Sequence, residues 1–582
     1  MIGNVINNKR QPLSTSVETF SDLKNYKPLF NSQVVNVLGR DSLNDGGGGV
    51  FVYNETSELL DDDGTIIDSN LDISGNWQRD YNGLEVNVKW FGAKGNASYD
   101  DLLEVWNGNN DTLAFENAIK LEKSIYIPKG VYRIVSNDVP VNEADAKGFF
   151  LGSNISVRGA GKNDTSIVMD GVVNGDETTY FVMFGFIDKE NSSVKNLEVR
   201  GNGNAYEEHL TFSYACSGVN IFGEDCKNIT VDNCSFRFII GHGVQDNSNV
   251  SGNFITNNEA HFCSQNGLNV NTKNATIINN KGSFNGFGLI EAACGNSFIS
   301  NNEAFDNYNN GITVGGFVGV DNQGYGDNNI IHGNKCYRNG IIGLSISIGV
   351  RKSTISNNLI YYNGDIGLNC NEDVSIVTNN TYSGNVIYDN GLLSLTNSKL
   401  GIYVNSKGNL FTNNTIFNTG VVDGYEQRYG ISVAYTMNGQ SFINNKFRGH
   451  TNQDIEFIGT EDVLYNGYTS DKINLIGDVK FTTSKRTEVV AWDTFPVNAL
   501  TEFLTADNIS SSKSCILPKA SVCPKGKEII IIDINGTSPT HNITINPNGS
   551  DTINGVTSAL VVSSEYSSIK IISDGISNWI TI

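Results

Sequence analysis

Phe254-Ile-Thr-Asn-Asn258 and, nine residues on, Gly267-Leu-Asn-Val270 form one unit of a repeat that runs from about residue 193 to residue 459. The first half returns as Ile277-Ile-Asn-Asn280, Phe298-Ile-Ser-Asn-Asn302, Ile330-Ile-His-Gly-Asn334, Ile355-Ser-Asn-Asn358, Phe411-Thr-Asn-Asn414 and Phe442-Ile-Asn-Asn445. The second half returns as Gly288-Leu-Ile-Glu291, Gly311-Ile-Thr-Val314, Gly343-Leu-Ser-Ile346, Gly367-Leu-Asn-Cys370, Gly401-Ile-Tyr-Val404 and Gly430-Ile-Ser-Val433. Successive glycines stand 21, 23, 32, 24, 34 and 29 residues apart. A shortest unit near 22 residues, lengthened by insertions, suits one rung of two or three short strands joined by turns. Each strand would pair with its equivalents in neighbouring rungs, about 4.8 Å away. Alternation turns Leu, Ile and Val inward and the residue between them outward. Asn at the turns adopts left-handed backbone angles and stacks as a ladder. A leucine-rich repeat needs a Leu-x-x-Leu-x-Leu pattern, which is absent. The reading is an all-β chain, a right-handed parallel β-helix.

The bulk numbers fit. A chain of 582 residues exceeds what one compact core supports, so it is several domains or an elongated array. Sixty-one Gly against nine Pro favours tight turns. The net charge of −22 sets the chain against nucleic acid and anionic membranes, and otherwise serves solubility. Local Arg and Lys could still hold an acidic glycan. Nine Cys lack CxxC or regular spacing, which argues against a disulfide framework. Buried, reduced thiols and synthesis in a reducing cytoplasm are expected. Met1–Arg10 has no apolar run of the kind a secretory leader carries. No run reaches membrane-helix length, so no membrane insertion is expected.

Upstream stand Val86-Asn-Val-Lys-Trp-Phe-Gly-Ala-Lys-Gly95, Asp111-Thr-Leu-Ala-Phe-Glu-Asn-Ala-Ile119 and Ile125-Tyr-Ile-Pro-Lys-Gly-Val-Tyr-Arg-Ile134. Asp111 is a candidate helix N-cap, and the helix would cover the apolar end of a solenoid. Further upstream are Asp45-Gly-Gly-Gly-Gly-Val-Phe-Val-Tyr53, Asp63-Gly64 and Trp77-Gln-Arg79. Together these segments resemble the pectate-lyase-like start of bacteriophage tailspikes, and the resemblance covers about residues 17–460. The short Gly-Asp-Gly run usual in that family is stretched here to Gly95-Asn-Ala-Ser-Tyr-Asp-Asp101 and a further loop. The last hundred residues carry strand-like runs, among them Lys527-Glu-Ile-Ile-Ile-Ile-Asp533 and Asn542-Ile-Thr-Ile-Asn546, at about ten-residue spacing. That suggests an antiparallel β-sandwich, and resembles the C-terminal domains of phage spikes that trimerise or bind sugar. The expected organisation is a cap or neck over 1–85, the β-helix over 86–480 and a C-terminal β-sandwich over 481–582.

A β-helix offers long flat faces. Alternation places Gln245, Asn269, Thr313, Ser345, Asn369, Tyr403 and Ser432 outward, with Ile290 as the exception. Such a strip can bind sugar hydroxyls, and it can equally be an ordinary solvated face. Cutting a glycosidic bond by hydrolysis needs two carboxylates. Asp246 and Glu291 read as equivalent positions two rungs apart, about 9.6 Å by strand spacing, near the roughly 6.5–9.5 Å of an inverting pair. Simple alternation points both inward, where a carboxylate must be paired or the chain must turn. Other acids lie on insertions: Asp321 and Asp327 in Asp321-Asn-Gln-Gly-Tyr-Gly-Asp327, and Glu372 and Asp373 after the Gly367 strand. His242, in Gly241-His-Gly243, resembles a polygalacturonase motif without that family's preceding aspartates and is a candidate binder. Arg237, Arg338 and Arg351 could neutralise a uronate. No His pair or Cys/His cluster has metal spacing, so neither metal nor cofactor is expected.

The resemblance implies a virion protein of a phage tail: a homotrimer that endolytically hydrolyses a bacterial capsular or other surface polysaccharide. Two rivals share the fold. One is a polysaccharide lyase using a Lys, Arg or Tyr base on a uronate. The other is a receptor-binding spike that does not cut. Fold alone does not choose among them.

Overall fold

The computed structural model describes residues 15–582 except 102–104, 142–145, 172–179, 202–215, 249–251, 316–325, 372–377, 393–398, 421–423, 435–436, 459–463, 467–472, 477–485, 490–493, 498, 500 and 507–509. The chain divides into two compact units, Met1–Thr272 and Lys273–Ile582. Each is built mainly of short strands.

The first unit starts with a five-stranded sheet in the order Thr15–Val17, Val34–Val37, Gly49–Asn54, Asn76–Arg79, Ile66–Asp68. Its core holds Phe20, Leu23, Phe51, Ile67 and Trp77. The Arg79 guanidinium is buried here and donates to the carbonyls of Gly47 (2.8 Å), Gly48 (2.7 Å) and Gly64 (3.0 Å). That explains part of the glycine run: a Cβ on Gly49 would lie 2.1 Å from Arg79 Nη1. The cap helix spans Thr112–Lys120 with Asp111 at its N-cap position. Asp111 does not cap it with its side chain. Its carboxylate accepts the Lys94 and Gly95 amides at 2.7 and 3.2 Å, while Asn110 Oδ1 takes the Thr112 amide at 3.0 Å.

Three parallel sheets follow in the first unit. Sheet I contains Ser124–Ile127, Ser156–Gly159, Ser193–Lys195, Thr230–Asp232 and Phe254–Thr256. Sheet II contains Gly130–Val135, Thr165–Asp170, Glu198–Arg200, Ser235–Arg237 and Glu259–His261. Sheet III contains Lys147–Phe150, Phe181–Ile187, Cys216–Gly223, Gly241–Ser248 and Asn266–Val270. Rungs thus begin well before residue 193. They escape a repeat search because strands such as Phe181–Ile187 are buried at six of seven positions and show no alternation.

The second unit repeats this three-sheet arrangement. Its sheet III carries the strands from Gly288–Ala293 through Ile312–Gly315, Ile342–Ile346, Ile366–Cys370, Leu400–Val404 and Tyr429–Val433 to Gln453–Ile458. The Asn-Asn pairs have two jobs. The first Asn of each corner takes positive φ, as Asn279, Asn301, Asn357, Asn413 and Asn444 do at 54–57°. Gly333 and Gly384 fill the same slot where the motif reads Gly-Asn. The second Asn points inward and joins a buried ladder: Asn280, Asn302, Asn334, Asn358, Asn385, Asn414 and Asn445 bond in succession at 2.9–3.1 Å. A second ladder runs Asn285, Asn307, Asn339, Asn363, Asn390, Gln427 to the buried His450–Asp454 pair. Each buried amide therefore has partners, as an uncharged core requires.

The leading glycines are fixed by close approach. A Cβ on Gly343 would meet Ile360 Cγ2 and Asn363 Nδ2, each at 2.6 Å, and Gly367 and Gly401 stand in the same vice. The Gly and the Leu or Ile after it both face the core, so the residue before and the residue after that pair face out.

Beyond the ladders, the strands from residue 486 alternate between two sheets. The expected antiparallel sandwich is corrected to a mixed one. Arg486–Val489, Thr501–Ala506 and Glu528–Asp533 pair in parallel, as do Thr494–Pro496, Lys513–Ile516 and Ile543–Asn546. Only the last strands run antiparallel. The shared core includes Ile529, Ile531, Ile545 and Trp579. All nine Cys are buried and free of disulfides.

Candidate functional site

The outward side of sheet III brings most of the expected binding residues into rows. In the second unit, register aligns Glu291, Thr313, Ser345, Asn369, Tyr403, Ser432 and Glu456, one per rung. Six intervals at about 4.8 Å make this row roughly 29 Å long. Beside it runs a more apolar row, Ile342, Ile366, Leu400 and Tyr429. The row carries a carboxylate at each end and no cation among its members. Ser432 donates to Glu456 at 3.1 Å, and Asn310 Nδ2 donates to Thr313 at 3.1 Å.

Glu291 reaches this row through a register shift. The amides of Leu289 and Ile290 lie 3.0 and 3.5 Å from one carbonyl, that of Gly311. Ile290, two residues after Gly288, pairs with Ile312, one residue after Gly311, so the Glu291 strand carries one extra residue, a β-bulge of the kind that re-aims side chains. Ile290 pairs with Ile312 and is buried, whereas Glu291 pairs with Thr313 and is exposed. Two expectations are corrected here. Ile290 is not an outward exception, and Glu291 does not occupy the inward position of Val314.

Asp246 does point inward. It pairs with Val270, has no exposed surface, and accepts from Ser248 Oγ (2.6 Å), Ser248 N (3.1 Å) and Asn253 Nδ2 (2.9 Å). Burial raises its pKa, against the lowering effect of those hydrogen bonds. It is a satisfied core carboxyl of the first unit. The expected equivalence with Glu291 fails, because the bulge gives the two strands opposite parity.

In the first unit the corresponding outward row is Gly185, Asn220, Gln245 and Asn269. Ser217 and His242 form a second row beside it. The Tyr180 hydroxyl bonds Ser217 and donates to Gln245 Oε1 at 2.6 Å. His242 is buried; its Nδ1 accepts the Asn266 amide at 3.3 Å and its Nε2 lies 3.4 Å from the Asn269 amide. Burial lowers its pKa to about 4, so the ring is neutral at neutral pH.

The remaining candidates divide. Asp327 is tied to Arg351 (2.7 Å) and Lys352 (3.2 Å). Arg338 forms a two-pronged pair with Asp306, at 2.7 and 2.6 Å, in the turn that follows the sheet II strand Lys335–Tyr337. Arg237 lies 3.6 Å from Glu198 and 3.7 Å from Glu259. Asp321, Glu372 and Asp373 lie outside the described residues. The chain enters those segments directly after Gly315 and Asn371, at the ends of sheet III strands. Glu456, Tyr180 and Asn220 escaped the sequence reading. Gln453–Ile458 lacks the Gly lead, and Tyr180 and Asn220 precede or interrupt apolar runs that read as plain core. Among the described residues no cluster of three His, Cys, Asp or Glu could hold a metal, and no helix is long and apolar enough to cross a membrane.

Two family models match parts of this chain. Residues 16–82 match the model of the phage tail protein small four-stranded beta-sheet domain, and residues 217–350 and 316–447 match the right-handed beta helix region. Mannuronan C5-epimerase AlgE2 of Azotobacter vinelandii is 26% identical over 283 residues, 46% of this chain and 26% of that relative. This chain thus spans about a quarter of that relative's length. Among solved structures, the A-module of mannuronan C-5 epimerase AlgE6 from Azotobacter vinelandii aligns at TM-score 0.49 and 19% identity, over 65% of this chain and 98% of that one. Tailspike protein gp49 of Acinetobacter baumannii bacteriophage Fri1, a capsular polysaccharide depolymerase, aligns at TM-score 0.35 and 12% identity, over 80% of this chain and 75% of that one. Residues 16–82 thus match a phage tail protein β-sheet domain and residues 217–447 a right-handed β-helix region, consistent with the parallel strand stacks described above.

Proposed function

We propose that this chain is a phage tailspike depolymerase that binds a bacterial capsular or surface polysaccharide along the outward row of sheet III and cuts it endolytically. The observation that carries the reading is the bulge at Leu289–Ile290, which turns Glu291 out of the core onto the head of that row. Polar side chains at one per rung, flanked by Ile342, Ile366 and Leu400, suit a sugar chain with hydroxyl edges and apolar faces. Hydrolysis fits the row better than β-elimination. Elimination needs a cation to neutralise a uronate, and among the described residues Arg338, Arg351, Lys335, Lys352 and Arg428 are already paired with carboxylates. In this reading Glu291 is one catalytic acid or base, and its partner comes from Asp321, Glu372 or Asp373. The N-terminal β-sheet domain supports attachment to a phage tail, and the working form is a homotrimer.

The test is incubation of the full chain with purified capsules, following reducing ends, chain length and ultraviolet absorbance together. Hydrolysis predicts new reducing ends and a rapid fall in chain length without absorbance. Absorbance growing with the reducing ends would select the lyase. Binding with no shortening of any capsule would select the non-cutting spike.

A further inference from the structure

We propose a second sugar subsite on the sheet III face of the first unit, centred on Asn220, that takes an uncharged hexose ring. This deepens the polysaccharide reading and rests on it.

Asn220 sits in the outward row between Gly185 and Gln245, while its neighbours Val219 and Ile221 are wholly buried in the core. It is 8% exposed, and its Oδ1 has no hydrogen-bond partner among the described residues. Leaving such an acceptor dry and unpaired is unfavourable. The Asn ladders of the second unit pair their buried amides, whereas Asn220 stands outside any ladder.

The surroundings supply the other half of a sugar site. Gly185, next to Asn220 in the row, leaves room that the Phe150 ring enters; a Cβ there would lie 2.4 Å from that ring. Phe150 and Phe222 pack edge-on with centroids 6.3 Å apart, and both rings are half-buried. Ring faces of this kind stack on the C–H face of a hexose, while Asn220 and Gln245 take its hydroxyls. Phe150 and Phe222 are the half-buried rings nearest this row, and side chains of that kind reorient on fast timescales. Charge selects the class of sugar. The polar groups built around Asn220 are Tyr180, Ser217, Gln245 and a His242 that stays neutral at neutral pH. With no cation among them, a neutral hexose is favoured over a uronate.

The experiment is saturation-transfer NMR of the full chain with the methyl glycosides of glucose, galactose, mannose and N-acetylglucosamine, and with methyl glucuronoside. At least one neutral glycoside is expected to bind. Asn220→Ala should weaken it about five- to tenfold, the value of one hydrogen bond, and Arg338→Ala should leave it unchanged. The glucuronoside should bind at least tenfold more weakly. Asn220→Ala should unfold at or above the wild-type temperature, because it removes an orphan; a site that is merely structural would lose stability. Should that variant not fold, Phe222→Leu is the second probe and should weaken the same glycoside. No binding by any neutral glycoside, unchanged affinity in both variants, or equal binding of the glucuronoside overturns the subsite. Capsule cleavage by the wild-type chain is read separately. Cleavage without glycoside binding sinks the subsite alone, and binding without cleavage sinks the hydrolase reading.

Discussion

In the strand Gly241–Ser248 the acidic residue lies in the core, and Ser248 and Asn253 occupy its carboxylate oxygens. In the strand Gly288–Ala293 the acidic residue stands in solvent at the head of a polar row. Both strands open with Gly, both place the acid three residues after a Gly (Gly243 and Gly288), and both belong to a sheet III. One extra residue separates them: the bulge opposite Gly311. A single inserted residue inverts which side of a strand faces water, so function on this scaffold is decided by local register more than by residue type. The same holds for Asn. At the corners it is spent on positive φ and on buried ladders, and only on the outward rows, at Asn220, Asn269 and Asn369, is it placed to meet a ligand.

The contrast can be broken from either side. Asp246→Ala strips partners from Ser248 and Asn253 inside the core, and should lower stability by about 3 kcal/mol, seen as a drop in thermal midpoint. Whatever protein stays folded should cleave at the wild-type rate. His242 gives the next largest effect, through pH. Its pKa is about 4 in the folded chain against 6.5 unfolded, so the unfolded chain takes up the proton first. The stability of the neutral ring is complete above about pH 6.5 and is lost as pH falls through 4, on the order of 3 kcal/mol. Denaturant titrations should show that slope in the wild type and a flatter one in His242→Gln. Asp246 acts oppositely, since its raised pKa gives stability that is present at low pH and lost as pH rises past the usual aspartate value. Single truncations along the row, Thr313→Ala or Tyr403→Ala, should raise KM about five- to tenfold with little change in kcat, each removing one hydrogen bond or ring contact. Smallest of all, Arg338→Ala breaks a half-exposed pair with Asp306 and should cost less than about 1 kcal/mol with no kinetic effect. A large kinetic loss there would move the site to sheet II.

These contrasts also mark how far the residues alone could be read. The Asn-Asn corners were legible because both positions demand Asn for separate reasons, one conformational and one for the ladder. The Gly lead was legible because Ile360 and Asn363 leave no space for a Cβ at Gly343. The outward row from Thr313 to Ser432 followed from alternation. The bulge did not, because it depends on how the Leu289 and Ile290 amides share the Gly311 carbonyl, which belongs to the next rung. The rungs before residue 193 hid for another reason: strands such as Phe181–Ile187 are buried on both faces and leave no alternation. Asp327 looked like a loop acid open to substrate until Arg351, a rung away in space and 24 residues away in sequence, closed it off.

The most direct test is the turnover of capsule by Glu291→Gln, measured as reducing ends per folded chain at saturating substrate. Loss of a general acid or base predicts a fall in kcat of about 100-fold or more, with a thermal midpoint unchanged because the side chain is exposed. A kcat within twofold of wild type would contradict the account, and would mean that the bulge turns Glu291 outward for some purpose other than catalysis.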